Sequence, residues 1–120
     1  MKDVDSVIPS SLVIAAVIER EDPREFLLSK TAKNLKELNI NSIIGTSSLR
    51  RKAQLQSKNP GLIFKELRGN ILKRIEKLNL GEFDATILAY AGLKRLGIKT
   101  DGFLIGLDIM LPCVAQGIVG

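Results

Sequence analysis

The sequence predicts one α/β domain with a largely parallel sheet. Short apolar runs alternate with amphipathic, helix-like stretches along most of its 120 residues, and this alternation is typical of strand–helix–strand units. Hydrophobic residues make up 45% of the chain and aromatic residues only 4%, so we expect a core of isoleucine, leucine, valine and alanine. A chain of this length has room for one modest domain.

The first third of the chain predicts two strands separated by short helical segments. Residues 12–19 (LVIAAVIE) form a continuous apolar run, which predicts a buried strand. The charged stretch that follows is a break, in which Pro23 can open a short helix. Asn34, with Glu37 three residues later, resembles a capping box, and residues 41–45 (NSIIG) predict a short strand.

Two helices with a strand between them follow in the middle of the chain. Ser47 or Ser48 can cap a helix that runs to about residue 58, where Asn-Pro-Gly stops it. Residues 62–67 (LIFKEL) predict the next strand. A second helix over residues 70–79 begins at Asn70 and carries an apolar stripe of Ile71, Leu72, Ile75 and Leu78.

The last third predicts a strand at residues 83–89 (FDATILA) and a short helix that ends at Gly97. Residues 103–112 are apolar and ambiguous between strand and loop, and the final QGIVG is strand-like. Because both ends of the chain look cut within structured segments, we expect a fragment of a larger gene product.

Positive charge is concentrated in the middle of the chain, where residues 50–99 hold twelve basic and four acidic residues. This favours an anionic partner, either nucleic acid or a small phosphate or polycarboxylate. Scarce aromatic residues argue against single-stranded RNA, which usually stacks on aromatic rings. No apolar run is long enough for a membrane helix, and a chain without histidine makes a zinc site a poor hypothesis. A single cysteine, Cys113, favours a reducing cytoplasm.

Candidate anion-binding residues lie at two predicted strand-to-helix corners. At the first, Gly45 permits a tight turn, and the N–H groups of the next helix N-terminus attract anions. The same corner supplies hydroxyl and guanidinium donors, namely Thr46, Ser47, Ser48, Arg50 and Arg51. Arginines in a first helical turn oppose the helix dipole unless an anion offsets them. The alternative is that a serine only caps the helix and that the arginines are solvated.

The second corner is the stretch LRGN, with Arg68 at the end of a strand and Arg74 one turn into the helix. Ligands of open α/β sheets bind at the C-terminal ends of strands, so two strands would deliver arginines to one edge. The planar fork of arginine suits carboxylates. A third stretch has phosphate-loop spacing at Gly92 and Gly97, but Ile98 stands where the lysine belongs, which excludes a nucleotide loop.

Taken together, the motifs resemble those of the porphobilinogen deaminase family, also called hydroxymethylbilane synthase. They cover nearly the whole chain in the family's order: KD at residues 2–3, IEREDPR, IGTSSLRRKAQL, LRGN, EFDATILAYAGLKRLG and LPCVAQG. The resemblance implies an enzyme of haem biosynthesis that joins four porphobilinogen molecules into hydroxymethylbilane and releases ammonia each time. It also implies a dipyrromethane cofactor, linked through a thioether to a cysteine, on which the chain of pyrroles grows.

The resemblance assigns roles to individual residues. Asp3 matches the catalytic aspartate, whose carboxylate faces the pyrrole N–H groups and stabilises the cation formed when ammonia leaves. The acetate and propionate groups of cofactor and substrate would be bound by the other matched residues: Lys2, Thr46, Ser47, Ser48, Arg50, Arg51, Arg68, Gly69, Arg74 and Arg95. The expected partners are porphobilinogen and oligopyrrole intermediates, with no metal, nucleic acid or membrane. A non-catalytic anion-binding or RNA-binding basic domain is the alternative.

The family has three domains, of which the first two resemble type II periplasmic binding proteins with a mixed, largely parallel sheet. The resemblance implies that residues 1–19 end a domain-one segment and form a crossover strand, that 20–112 are domain two, and that 113–120 form a return strand towards domain one. The cofactor's cysteine belongs to the third domain, so Cys113 does not match it and is expected to be a small buried residue. The sequence departs from the family at Ala115, where glycine is usual, and in VDSVIPSS.

The resemblance also bears on assembly and activity. The full-length enzyme is expected to be a monomer. The isolated chain is expected to be inactive and either to fray or to pair with another copy through exposed strand edges.

Overall fold

The computed structural model describes residues 1–5 and 7–120, in which five strands and three α-helices form one α/β unit. In chain order they are β1 (Glu25–Ser29), β2 (Ile43–Gly45), α1 (Leu49–Lys58), β3 (Ile63–Lys65), α2 (Ile71–Asn79), β4 (Ala85–Ala89), α3 (Tyr90–Arg95) and β5 (Phe103–Ile105). A short 3₁₀ helix at Leu35–Glu37 lies between β1 and β2. The predicted α/β class is confirmed.

The sheet is mixed, with the strand order β3-β2-β4-β1-β5. β2 pairs in parallel with β3 and β4, whereas β1 pairs antiparallel with β4 and β5. Four strands therefore run in one direction and β1 runs against them. In this register Glu25, the first residue of β1, lies opposite Ala89, the last residue of β4. The start of β1 thus lies at the edge of the sheet where the parallel strands end.

Aliphatic side chains fill both faces of the sheet. Successive residues of β1 point to opposite faces, so Leu27 joins one buried cluster and Leu28 joins the other. Leu55 of α1 packs into the first cluster, and Leu78 of α2 and Leu93 of α3 pack into the second. Because helices cover both faces, the edge where the parallel strands end is left for a ligand.

The helix starts follow the predicted caps. The Ser48 hydroxyl accepts a hydrogen bond from the N–H of Arg51, and the side chain of Asn70 accepts one from the N–H of Lys73. The side chain of Asn34 caps the 3₁₀ helix in the same way. Both corners that lead into α1 and α2 are therefore held in place locally.

The prediction of the first strand was wrong. Residues 12–19 form no strand, and most of their side chains are exposed. The first strand is instead β1, which follows Pro23 in the region predicted to open a short helix. All five residues of β1 are buried between β4 and β5, so they show no polar alternation. A glutamate is not expected in a buried strand, and the arginines that pair with Glu25 lie about 25 positions away, so the sequence pattern did not predict this strand.

The expected return strand at the end of the chain is also absent, since residues 113–120 contain turns and no strand. This segment lies beside residues 18–21, where the N–H of Ile18 donates to the carbonyl of Val119 and that of Glu21 donates to the carbonyl of Gly117, each at 3.0 Å. These two hydrogen bonds do not extend into the regular pairing of two β-strands. The ambiguous stretch from residue 103 begins with β5 and then turns at residues 107–109.

Within residues 1–5 and 7–120, none of the helices has the length and apolar character needed to cross a bilayer.

Substituting Gly45 tests the packing at the first corner. Gly45 has no positive φ, so its role is close packing rather than a special turn. A Cβ atom there would lie 2.8 Å from both Leu67 Cδ2 and Phe83 Cδ1, which are buried side chains. We expect Gly45→Ala to lower the free energy of unfolding by about 1–3 kcal/mol, as overpacking does. Chemical denaturation measures the change.

Gly61→Ala is the matched control, because the Cβ atom there would meet Ile40, an exposed side chain that can move away. We expect a change within about 0.5 kcal/mol for this variant. Equal stability of the Gly45→Ala variant and the unsubstituted chain would contradict the packing argument.

The exposed apolar side chains of residues 12–18 predict self-association of the isolated chain. Val13 is 84% exposed and Val17 is 56% exposed, and three further apolar side chains of this segment are exposed as well: Leu12, Ile14 and Ile18. Burying such a patch against a second copy is favourable. Sedimentation velocity should show a concentration-dependent dimer or larger species, which the double substitution Val13→Asp/Val17→Asp shifts to monomer.

Leu72→Asp serves as the control, because Leu72 is an exposed apolar residue on α2 and not on this segment. A monomer at every concentration tested would show that the exposed segment does not drive association.

Candidate anion-binding site

A pocket of about 360 Å³ lies at the edge of the sheet where β2 ends and α1 begins. It brings together residues from the N-terminal segment, the corner before α1, α1 itself, α2 and the C-terminal segment: Lys2, Asp3, Ser47, Ser48, Arg50, Arg51, Arg74 and Cys113. Seven of these eight residues are predicted site residues. Residues more than seventy positions apart in sequence therefore meet at one place.

The hydroxyl-bearing corner joins the two strand ends to each other. The Ser47 hydroxyl donates to the carbonyl of Leu67, at 3.0 Å, which ties the corner before α1 to the corner before α2. The buried Thr46 donates its N–H to the carbonyl of Lys65, and its hydroxyl accepts from the N–H of Ser48. Thr46 therefore stabilises the corner through its hydrogen bonds but does not line the pocket. Ser47 and Ser48 line it.

Arg51 is held by three hydrogen bonds that leave part of its guanidinium group free. Its Nε and Nη2 donate to the two carboxylate oxygens of Glu25, at 3.1 and 2.8 Å, and its Nη1 donates to the carbonyl of Ile87 at 2.9 Å. Arg51 is buried and Glu25 is fully buried. Because arginine has five N–H donors, two remain for a ligand. The sequence left open whether a bound anion or solvent meets this arginine, whereas its observed counter-charge is the internal carboxylate of Glu25.

Arg50 shares the same carboxylate. Its Nη2 donates to Oε1 of Glu25 and its Nη1 donates to the carbonyl of Leu111, each at 2.5 Å. The side chain of Arg50 is 28% exposed, so it is the more accessible of the two arginines. Glu25 was missed by sequence reasoning, because a single glutamate in a charged stretch carries no signal of its long-range partners.

Arg74 contributes a guanidinium group with little internal compensation. Its Nε donates to the carbonyl of Gly69 at 2.8 Å, and among the described residues its two terminal nitrogens have no hydrogen-bond partner. Burial lowers the pKa of the Arg74 guanidinium below its ordinary value, and the nearby charge of Arg51 lowers it further. A carboxylate bound here would supply the charge and the acceptors that Arg74 lacks.

The N-terminal segment brings an acid and a base to this cationic pocket. The N-terminal ammonium of Met1 donates to the carbonyl of Ile118 at 3.0 Å, which holds the segment against the end of the chain. Lys2 and Asp3 follow, and both are exposed where they line the pocket. Cys113 was expected to be buried but is half-buried, and it lines the pocket.

Besides Thr46, three predicted residues lie outside the pocket lining. The side chain of Arg68 is 81% exposed and donates to Oε1 of Glu66 at 2.6 Å. Arg95 donates to the carbonyl of Gly117 at 2.7 Å, so it ties α3 to the C-terminal segment. Gly69 adopts a φ of 112° and offers its carbonyl to Arg74, so it acts through that side chain.

The arrangement suits a ligand with several carboxylates. The buried carboxylate of Glu25 can compensate only one of the four positive charges that line the pocket. These charges belong to Lys2, Arg50, Arg51 and Arg74. The guanidinium groups keep N–H donors that make no hydrogen bond to the described residues, and the Ser47 and Ser48 corner lies at the N-terminus of α1. Asp3 adds an exposed acceptor for an N–H group of the same ligand. Such a pocket also fits dipyrromethane, which is small, rich in carboxylates and has pyrrole N–H groups.

A solved structure supports the fold independently of the motifs. The chain is similar to the second substrate binding domain of a putative amino acid ABC transporter from Streptococcus pneumoniae, with a TM-score of 0.50 and 20% identity. The match covers 76% of this chain and 47% of that one. At this level of identity the likeness concerns the fold alone, and it confirms the predicted type II binding-protein architecture.

Curated relatives match over almost the whole chain. It is 52% identical over 121 residues to a porphobilinogen deaminase of Rickettsia akari, which covers 99% of this chain and 40% of the relative. It is 48% identical over 123 residues to a porphobilinogen deaminase of Sulfurimonas denitrificans, which covers 100% of this chain and 39% of the relative. The chain therefore spans about two fifths of the length of these relatives.

A family model agrees with these relatives and with the motifs. The model described as "Porphobilinogen deaminase, dipyromethane cofactor binding domain" matches residues 1–120. The resemblance predicted from the motifs is confirmed, and the chain belongs to the porphobilinogen deaminase family.

Proposed function

We propose that this chain is the part of a hydroxymethylbilane synthase that holds the carboxylates of the dipyrromethane cofactor and of the growing oligopyrrole. The longer protein would join four porphobilinogen molecules into hydroxymethylbilane, with release of ammonia at each addition, in tetrapyrrole biosynthesis. The observation that carries this proposal is that three arginines, a lysine and Asp3 line one pocket. A family with a polycarboxylate ligand needs such a combination.

The residues of the pocket divide the work by their chemistry. The free N–H groups of Arg50, Arg51 and Arg74 would bind acetate and propionate side chains in bidentate fashion. The carboxylate of Asp3 would accept hydrogen bonds from pyrrole N–H groups and stabilise positive charge that develops on the ring system. Dipyrromethane, when bound, supplies the primer to which new pyrroles are added.

The same proposal covers the domain bounds, the oligomeric state and the location of the longer protein. Residues 20–112 would form domain two of a three-domain enzyme, flanked by a segment of domain one at 1–19 and a return segment at 113–120. The longer protein would act as a monomer in the cytoplasm. Arg68 and Arg95 would contribute at a distance, because they lie outside the pocket lining in this structure.

Removing one pocket arginine tests the binding role. We expect Arg74→Ala to weaken porphobilinogen binding about tenfold, since it removes a charge-assisted pair of hydrogen bonds. Titration followed by ¹H–¹⁵N NMR shifts of the Thr46–Arg51 corner would measure the affinity.

Lys73→Ala is the matched control, because Lys73 is the preceding residue of α2, is exposed and does not line the pocket. It removes the same charge, and we expect less than about a twofold change because exposed charges are well screened. Equal losses for both variants would mean that porphobilinogen responds to net charge and not to this pocket.

The isolated chain should bind without turning over. Positioning a catalytic group within about an ångström is what makes it effective, and Asp3 is exposed on the N-terminal segment of a chain that spans two fifths of its relatives. We expect no hydroxymethylbilane from porphobilinogen and a bare polypeptide mass in mass spectrometry. Turnover above the blank, or a dipyrromethane adduct on Cys113, would show that the chain suffices for cofactor attachment or catalysis.

A further inference from the structure

Glu25 is a fully buried acid at the centre of a site that attracts anions. Its two carboxylate oxygens accept three hydrogen bonds, one from Arg50 and two from Arg51. It does not line the pocket, whereas both arginines do. An acid that only neutralised these arginines would lower the affinity of the site for its ligand. Its presence there calls for another reason.

The geometry supplies that reason. β1 runs against its neighbours, so its first residue lies at the edge where the parallel strands end and directly beneath the start of α1. Without the carboxylate, two guanidinium groups on adjacent residues would repel each other, and each long side chain would sample many rotamers. The carboxylate of Glu25 offsets the repulsion between the two guanidinium groups, and its hydrogen bonds restrict the rotamers of both arginine side chains. After these bonds to Glu25 and to backbone carbonyls, Arg51 keeps two unused N–H donors and Arg50 keeps three.

We propose that Glu25 is a positioning residue of the anion site, which holds Arg50 and Arg51 so that their free N–H groups meet a ligand carboxylate in paired fashion. This inference rests on the proposed function, because it assumes that the ligand carries carboxylates. It implies that the site binds planar carboxylates, which can accept paired hydrogen bonds, in preference to anions that are attracted by their charge alone. Glu25 touches no ligand and acts through the arginines.

The sign of the effect separates positioning from simple electrostatics. Glu25→Gln removes one negative charge next to an anion site, so electrostatics alone predicts tighter binding of every anion. Positioning predicts the reverse for porphobilinogen, since the glutamine amide presents a donor to Arg51 in place of an acceptor. We expect porphobilinogen to bind about tenfold more weakly, the loss of one well-made charge-assisted contact. Sulfate should bind equally well or more tightly.

A second variant guards against loss of the fold, because Glu25→Gln leaves Arg51 buried without its counter-charge. Glu25→Asp keeps the charge but withdraws the carboxylate by one methylene group. We expect Glu25→Asp to weaken the binding of porphobilinogen several-fold and to leave the affinity for sulfate unchanged. Glu82→Gln is the matched control, since it makes the same charge change at an exposed acid that pairs with Lys77 outside the pocket.

The decisive measurement is the ratio of porphobilinogen to sulfate affinity in the full 120-residue chain, read by NMR titration for each variant. Weaker porphobilinogen binding together with a lower ratio for Glu25→Gln or Glu25→Asp, but not for Glu82→Gln, supports the inference. If Glu25→Gln loses its native spectrum, the ratio for Glu25→Asp decides. Tighter or equal porphobilinogen binding overturns the inference, as does a parallel loss for both anions, which would assign Glu25 a role in folding alone.

The same titration separates this inference from the function on which it rests. If the unsubstituted chain binds porphobilinogen and its Glu25 variants keep the same affinity ratio, only the inference fails. If the unsubstituted chain binds sulfate but no porphobilinogen, the proposed function fails and the inference falls with it.

Discussion

The buried carboxylate of Glu25 joins the sheet to the helix that carries the site. It is fully buried, and it pairs with Arg50 and with the buried Arg51 on the first turn of α1. Burying ions is costly unless their hydrogen bonds are satisfied, and here both oxygens are used. The third bond of Arg51, to the carbonyl of Ile87, reaches β4. One ion cluster therefore connects β1, β4 and α1, and it sets where the free ends of both guanidinium groups lie.

The second constraint is the crossing of the two chain ends beside this cluster. Nε of Arg20 donates to the carbonyl of Gln116, and the buried side chain of Gln116 donates to the carbonyl of Pro23. The amino group of Met1 donates to Ile118 in the same region. These contacts place Asp3 and Cys113 at the pocket, although neither residue belongs to a regular element. The acid assigned to catalysis by the family resemblance thus depends on backbone contacts of the C-terminal segment.

Backbone and side-chain donors converge at the corner between β2 and α1. Ser48 caps the helix, and the Ser47 hydroxyl ties this corner to the one before α2. Gly45 lets the strand end pack against Leu67 and Phe83, which brings the two corners close together. Arginines in a first helical turn are mildly unfavourable against the helix dipole. The structure offsets this with the internal carboxylate of Glu25, which leaves several N–H donors of the two arginines unused.

The local pattern of the sequence determined a good part of this protein. Polar residues before amphipathic stretches located α1 and α2 with their caps at Ser48 and Asn70, because capping depends on residues within one turn. The motifs around Arg50, Arg51 and Arg74 identified the family, and these side chains do share one pocket. Tertiary structure alone decided which apolar run became the first strand. Residues 12–19 are the more apolar run, but β1 is the segment that finds β4 and β5 as partners and can bury its charge against α1. It also decided that Arg68 stays on the surface with Glu66, that Cys113 lines the pocket, and that Glu25 holds the arginines. Each of these outcomes depends on pairing between residues distant in sequence, and a local pattern carries no information about such pairs.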